Sequence, residues 1–491
     1  MSCAMMATTG FFMSSATPRS SSQAPITTPQ TSVPVRTIPG SYGFPVLGPL
    51  SDRLDYYWFQ GQEAFFKTRI EKNKSTVFRT NVPPSFPFFL ANPNVVAVLD
   101  VKSFSHMFDM EIVEKQDVLV GDFMPSVSYT GGLRVCAYLD TSEPSHTKVK
   151  NFAMDLLKRG SSLWIPTLVS RLNTMWDSIE DDLSKSTSAS LPLPQFLFSF
   201  LTRCFIGAET STSPEIDANG ADMMQRWLFL QLLPTVPLNI LQPLPEIFIH
   251  SFAYPFFLVQ GDYNKLVQFV ETQGQELIQR AETEFNLTPQ EAIHNVLFIL
   301  GFNAFGGFSI FFPSLVSALE SQTTKGLQEK LREEVRQHCG TDPSKLTFES
   351  VKKLELVQSF VYETLRMNPP VPMQYARARK DFELSSYEQV FEIKKGELLC
   401  GYQPLVMKDA RVYENPEEFV PERFVGEKGK ELLNYLFWSN GPQSGTSKVG
   451  NKQCAAKDFV PLTATLFIAY LFQRYDSVSI SSGSITGVVK A

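Results

Sequence analysis

A chain of 491 residues with 44 basic and 50 acidic side chains, net charge −6 and pI near 5.6, is long enough to bury a large core and lacks the basic excess of a nucleic-acid binder. Its six cysteines (Cys3, Cys136, Cys204, Cys339, Cys400, Cys454) are too scattered for a disulfide framework or zinc site, and its five histidines form no HExxH-like pair, which argues against a zinc hydrolase. Apolar residues at 43% suit a globular protein, and 41 phenylalanines predict an interior rich in rings, as an aromatic core or as the wall of an apolar cavity.

Residues 1–51 contain no Asp or Glu and only two cations, Arg19 and Arg36, among many Ser, Thr and Pro. This composition fits a plastid-type transit peptide, hence a chloroplast location, and it fits a plain disordered tail as well. Ordered structure is expected from PVRTIPGSYGFPVLGPLSDRL onward, whose Pro and Gly residues mark a turn-rich lead-in. The chain therefore divides into a transit-like segment, 1–35, and a single domain, 36–491. STVFRTNVPP and VVAVLD read as short strands. After about residue 145 helical spacing dominates, in HTKVKNFAMDLLKRG, LVSRLNTMWDSIEDDLSK and YNKLVQFVETQGQELIQRAETEF. Strands return near VFEIKKGELLCGYQP. The expected fold is mainly α with a small β portion. No run of about 18 apolar residues occurs, so no transmembrane anchor is expected, while peripheral attachment to a membrane through apolar surface stays open.

Within VYETLRMNPPVP, Glu363 and Arg366 stand three apart, so on a helix they share a face and can pair. ExxR alone is weak, because Glu329/Arg332 and Glu333/Arg336 match it too, in a charge-rich helix that reads as a solvated face. The later pair differs: its surroundings are apolar, and NPPVP stops the helix directly after it. A buried Glu–Arg pair needs further partners to offset desolvation, and PERF supplies a second arginine, Arg423. Downstream, SNGPQSGTSKVGNKQCAAKDF is a glycine-punctuated, cation-bearing loop that delivers one cysteine, Cys454, to an apolar helix. Gly445 and Gly450 have the spacing of a phosphate loop, but Asn451 and Lys452 follow where Lys and then Ser/Thr are required.

ExxR at 363–366, PERF at 421–424 and the cysteine at 454, in that order, resemble the haem-thiolate superfamily, the cytochromes P-450, over nearly the whole chain from about residue 36. The resemblance implies that superfamily's fold, with long helices around a haem b. It also implies that Glu363, Arg366 and Arg423 support the cysteine loop and that the Cys454 thiolate is the axial iron ligand. The loop departs from the usual pattern. Lys452 takes the usual arginine place and Gly450 the glycine place, but the aromatic place falls on Ser447; Trp438 and Gly441 reproduce that spacing upstream. The loop thus reads as lengthened by nine residues, the step from Gly441 to Gly450. On the distal helix, in LGFNAFGGFSIFFPS, the acid and threonine with which monooxygenases of the superfamily activate dioxygen are missing. Asn303 stands there with Gly306 and Gly307. A neutral amide both donates and accepts hydrogen bonds, which suits a substrate that arrives already peroxidic.

The long cysteine loop, the missing acid–threonine pair and GFNAFGG together resemble one branch, the plant allene oxide synthases, hydroperoxide lyases and divinyl ether synthases. PGSYGFPVLGP, VEKQDVLVGDFMPS and YLDTSEPSHTKVKN match that branch as well. The resemblance implies that Lys115, His146, Lys150 and Lys452 contact the haem propionates; His146 and Lys150, four apart, share a helix face as such a clamp requires. Allene oxide synthases carry phenylalanine two residues before the glycine of the GDFMPS-like stretch. Here that residue is Leu119, as in the lyases and in some divinyl ether synthases. GFNAFGGFS, ending in Ser309, also favours the lyases. The implied activity is homolytic O–O cleavage of a fatty-acid hydroperoxide with neither dioxygen nor a reductase. A 13-hydroperoxide would then give an unstable hemiacetal that falls apart into a C6 aldehyde and a C12 oxo-acid. Allene oxide, divinyl ether or epoxyalcohol formation from the same hydroperoxides are the neighbouring alternatives. A reductase-dependent monooxygenase and an inactive haem or lipid binder are the remote ones.

Overall fold

The computed structural model describes residues 34–84, 91–236, 249–320, 326–387 and 389–491. Of the transit-like segment, residues 1–33 lie outside these, as does Cys3. The strands are β1 (Val35–Arg36), β2 (Val77–Asn81), β3 (Asn94–Val98), β4 (Val113–Glu114), β5 (Met373–Ala378), β6 (Phe382–Ser385), β7 (Val390–Ile393), β8 (Leu398–Tyr402), β9 (Tyr475–Ser481) and β10 (Ser484–Lys490). They form a five-stranded sheet in the order β2-β3-β8-β5-β4, a three-stranded sheet β1-β7-β6 and the hairpin β9-β10. The strands expected in STVFRTNVPP, VVAVLD and VFEIKKGELLCGYQP are β2, β3, β7 and β8. In β8 all five residues are buried, because the strand runs between β3 and β5 with both faces covered. β1 starts at Val35, one residue before the expected domain boundary.

The helices that position the site are α1 (Leu47–Leu54), α2 (Gln62–Asn73), α3 (Pro144–Lys185), α4 (Leu193–Ile206), α5 (Pro214–Leu232), α6 (Gln260–Gln273), α7 (Gln275–Phe285), α8 (Pro289–Phe298), α9 (Gly306–Glu320), α10 (Leu327–Cys339), α11 (Glu355–Met367) and α12 (Phe459–Arg474). HTKVKNFAMDLLKRG and LVSRLNTMWDSIEDDLSK turn out to be one 42-residue helix, α3, which continues through Pro166. YNKLVQFVETQGQELIQRAETEF is instead divided at Gly274 into α6 and α7. Rings fill the interior as the composition predicts: Phe308 stacks on Phe312 at 5.1 Å, and Phe312 packs on Phe467 of α12 at 4.9 Å. One contiguous core runs from Ile38 to Ile485, and a second, smaller one includes Tyr56, Phe65, Tyr375 and Cys400.

Two expectations need correction. Between α8 and α9 the backbone makes a π-helical turn, Ile299–Phe305, without breaking, so Pro289–Glu320 is a single 32-residue helical stretch long and apolar enough to cross a membrane. Asn303, Ser309 and three glycines interrupt the apolar run and hide it from a sequence scan. In the fold 56% of its most apolar window is buried, as in the core helix of a globular protein. α10 is also more than a solvated face. Arg332 donates to the Asp476 carbonyl, and Arg336 donates to the carbonyls of Phe472 and Tyr475, so its arginines tie it to the end of α12 and to β9.

Candidate active site

α11 ends at the NPP stop with Glu363 and Arg366 on its buried side, both 0% exposed. Arg366 donates through Nε and Nη2 to the two carboxylate oxygens of Glu363, at 2.7 and 2.8 Å, and Arg423 Nε lies 3.0 and 3.1 Å from the same pair. The remaining arginine donors reach the carbonyls of Met407, Pro416, Glu418 and Asn415, and the Val420 N–H donates to Glu363. Each charge is thus paired and hydrogen-bonded, which a buried ion cluster requires. The sequence brings these three residues together as expected. The link onward was not legible in it. Met407 accepts from Arg366 through its carbonyl (2.9 Å) and from the Phe437 N–H through its sulfur (3.3 Å), so the cluster holds the start of the cysteine loop.

In that loop the lengthened part folds back on the cysteine. The Cys454 N–H donates to the Ser439 carbonyl at 2.9 Å, and the Gln453 amide donates to Ser439 Oγ (3.1 Å) and to the Pro442 carbonyl (2.7 Å). Trp438 Nε1 donates to Gln443 Oε1 (2.8 Å), and Asn440 Nδ2 to the Lys452 carbonyl (3.0 Å). A Cβ at Gly441 would come within 3.0 Å of the Gln453 side chain, and one at Gly445 within 3.0 Å of the Pro442 carbonyl and 3.1 Å of Gln453, so the loop packs tightly at both positions. Cys454 is half-buried. Burial pushes its thiol up, against the Ala456 N–H and the charge of Lys150, which favour the thiolate.

Four basic groups surround this loop. Lys452 Nζ donates to the carbonyls of Cys136 (2.9 Å) and Leu139 (2.7 Å), Lys150 Nζ to that of Gln453, and Lys115 Nζ to Asn440 Oδ1. His146 is 1% exposed and its Nδ1 has no partner among the described residues. All these acceptors are neutral. Burial, reinforced by the charge of Lys452, pulls Lys115 down to about 7. Burial and the charges of Lys452 and Lys150 pull His146 down to about 4. Lys150 and Lys452 are also lowered, mainly by burial. Burial thus outweighs the nearby carboxylates Asp140 and Glu143 and pushes every base of the cluster towards neutrality, and a dianionic group such as a haem with its two propionates fits it. Beside it a cavity of about 360 Å³, lined by Met107, Phe108, Lys115, Asn440, Lys452 and Gln453, separates the 107–115 segment from the loop.

The distal helix is tied to the same place by a residue that the motifs do not reveal. Asn295 of α8, 2% exposed, accepts the Cys136 N–H through Oδ1 (3.2 Å) and donates to the Glu291 carbonyl (2.8 Å). Asn303 lies in the π-turn, exposed on a helix whose neighbours are mostly buried, and its side chain makes no hydrogen bond among the described residues. Ser309 stands six residues on, on another face, with its Oγ buried and unpartnered. Leu119 is half-buried in the tight 118–123 turn, where Val120 and Phe123 exchange backbone hydrogen bonds. Gly121 there faces Leu398 and Tyr375. No hydrogen bond or ring contact joins Leu119 to Asn303 or Ser309 among the described residues. The structure therefore brings together Cys454, Lys452, Lys150, His146 and Lys115, and it carries Asn303 and Ser309 on different faces of the distal helix and Leu119 in the 118–123 turn.

The family model described as "Cytochrome P450" matches residues 322–482, which include Glu363, Arg366, Arg423 and Cys454. The chain is 66% identical to "Fatty acid hydroperoxide lyase, chloroplastic" of Solanum lycopersicum over 95% of its own length and 99% of that protein. It is 57% identical to "Linolenate hydroperoxide lyase, chloroplastic" of Arabidopsis thaliana, over 94% of each chain. "Allene oxide synthase, chloroplastic" of Linum usitatissimum is 42% identical, over 95% of this chain and 87% of that protein.

Proposed function

The chain belongs to the fatty-acid hydroperoxide lyase and allene oxide synthase family of cytochromes P450, and from that premise we propose that it is a hydroperoxide lyase of the chloroplast. Its substrates are 13-hydroperoxides of linoleic and linolenic acid, which it divides into a C6 aldehyde and a C12 oxo-acid. Residues 36–491 act as one haem-thiolate domain. The observation that carries this reading is Asn303, an exposed neutral amide without a hydrogen-bond partner among the described residues, on a distal helix that has no acid or threonine from residue 300 to residue 314. A haem b supplies one-electron cleavage of a peroxide bond when held by a thiolate.

The protein's own residues do the rest. Cys454 is the ligand, with the Ala456 N–H and Lys150 stabilising its charged form. Lys115, His146, Lys150 and Lys452 hold the propionates, and Glu363, Arg366 and Arg423 fix the loop through Met407. Asn303 donates to one peroxide oxygen and accepts from the terminal OH, which orients the O–O bond without offering a proton. An aliphatic side chain at Leu119 offers no ring to stack on the carbon radical, which favours recombination to the hemiacetal over loss of an electron and proton. Ser309 belongs with Leu119 as a product-determining residue.

Purified protein incubated with 13-hydroperoxylinolenic acid, without reductant, tests this directly. A C6 aldehyde is expected in the mass spectrum. Ketols would indicate an allene oxide, an ether-linked fatty acid the divinyl ether branch, and a requirement for NADPH and a reductase would reject the whole reading. Cys454→Ser is expected to lose both haem and activity, whereas a mere lipid binder would retain its ligand.

A further inference from the structure

The distal helix holds three glycines, Gly301, Gly306 and Gly307, and a glycine inside a helix is destabilising relative to alanine. Packing explains two of them. A Cβ at Gly301 would collide with Met224 Sδ and come within 2.9 Å of Trp227, and one at Gly306 would come within 2.9 Å of Leu228. These glycines let α5 lie directly on the helix, where Trp227 is further fixed by donating from Nε1 to the Tyr129 carbonyl at 3.0 Å. Gly307 is different, for a Cβ there meets nothing within 4 Å. It lies one turn beyond Asn303 and one turn before Ile310, which is 53% exposed. Asn303, Gly307 and Ile310 thus form one open face on a helix whose other sides are packed.

We propose that Gly307 is a specificity-determining position: its missing side chain gives the long acyl chain of the hydroperoxide room to cross the helix beside Asn303. This rests on the hydroperoxide-lyase reading of the site. The acyl carbons next to the peroxide must approach the helix closely if the Asn303 amide is to reach the oxygens, and a methyl group at 307 occupies that approach. A small hydroperoxide needs no such clearance. The residue therefore acts on chain-bearing substrates and leaves peroxide cleavage itself untouched.

The test compares wild-type holoenzyme with Gly307→Ala and, as a packing control, Gly301→Ala. Three quantities are read: haem per chain, the Soret shift on titration with 13-hydroxylinoleic acid (an unreactive analogue), and turnover of 13-hydroperoxylinoleic acid against tert-butyl hydroperoxide. Gly307→Ala is expected to keep wild-type haem content and to raise both the Kd for the hydroxy acid and the KM for the fatty hydroperoxide on the order of tenfold. Turnover of tert-butyl hydroperoxide should stay at the wild-type level. Gly301→Ala should lower Tm and spare this discrimination. An unchanged Kd, an equal loss on both hydroperoxides, or loss of haem from Gly307→Ala would each overturn the proposal, the last because the space would then belong to the haem. Failure of the wild type to cleave the fatty hydroperoxide refutes the lyase reading alone, since the hydroxy-acid titration still reports on Gly307.

Discussion

Lys115 and His146 sit in a surrounding that disfavours their charged forms, through burial first and through neighbouring lysines second. A bound propionate adds counter-charge to that of Asp140 and raises both values, so these two groups take up protons on haem binding, whereas Cys454, whose thiol burial pushes up, releases one on becoming a ligand. The contribution of Lys115 to haem affinity is therefore expected to fall as pH rises from about 7 towards the ordinary lysine value of 10.5, as free Lys115 loses its proton. The contribution of His146 falls lower, between about 4 and 6.5. Soret titrations of the apoprotein at stepped pH check this, and Lys115→Arg, which stays charged, should flatten the upper part of the profile. A pH profile that Lys115→Arg leaves unchanged would contradict the account. Asn303 makes a separate prediction. Asn303→Ala should keep its haem, since the amide touches no haem-holding residue, and should lose roughly 10²-fold in kcat, the usual effect of removing one aligned donor. Steady-state kinetics together with haem content measure it.

Among the elements, α11 and the segment after it depend on the shared carboxylate of Glu363. Glu363→Gln leaves two buried guanidinium groups facing a neutral amide, a change that costs about 3–5 kcal/mol in buried ion clusters. A lower Tm by calorimetry and poor haem loading are expected together, because Met407 carries the displacement from Arg366 to Phe437. Such elements also show what a sequence reveals. Glu363, Arg366, Arg423 and Cys454 were legible because a fixed local spacing and their order carry the pattern. Met407 and Asn295 were not, since their roles consist of partners 41 and 159 residues away that only the fold brings near. The same holds for the helical stretch Pro289–Glu320, whose glycines break the apolar run in sequence but pack against α5 in space. Arg332 and Arg336 misread for a similar reason, as carbonyl partners on a distant strand leave no mark on their own helix.

For the molecule as a whole, the contiguous core begins at Ile38, and the acid-poor composition of residues 1–33 ahead of it reads as an address. Deleting residues 1–33 is expected to leave Tm and hydroperoxide turnover unchanged, and calorimetry with a product assay on the shortened protein measures both. Loss of either would mean that the leading segment contributes to the domain. The core also joins the two walls of the site. Residues 136–139 hold the distal helix through Asn295 and the cysteine loop through Lys452, the first by a backbone N–H and the second by two carbonyls. These four residues work as a spacer gauge between the walls. Because both walls are hydrogen-bonded to the same short segment, its span fixes the width of the slot between them.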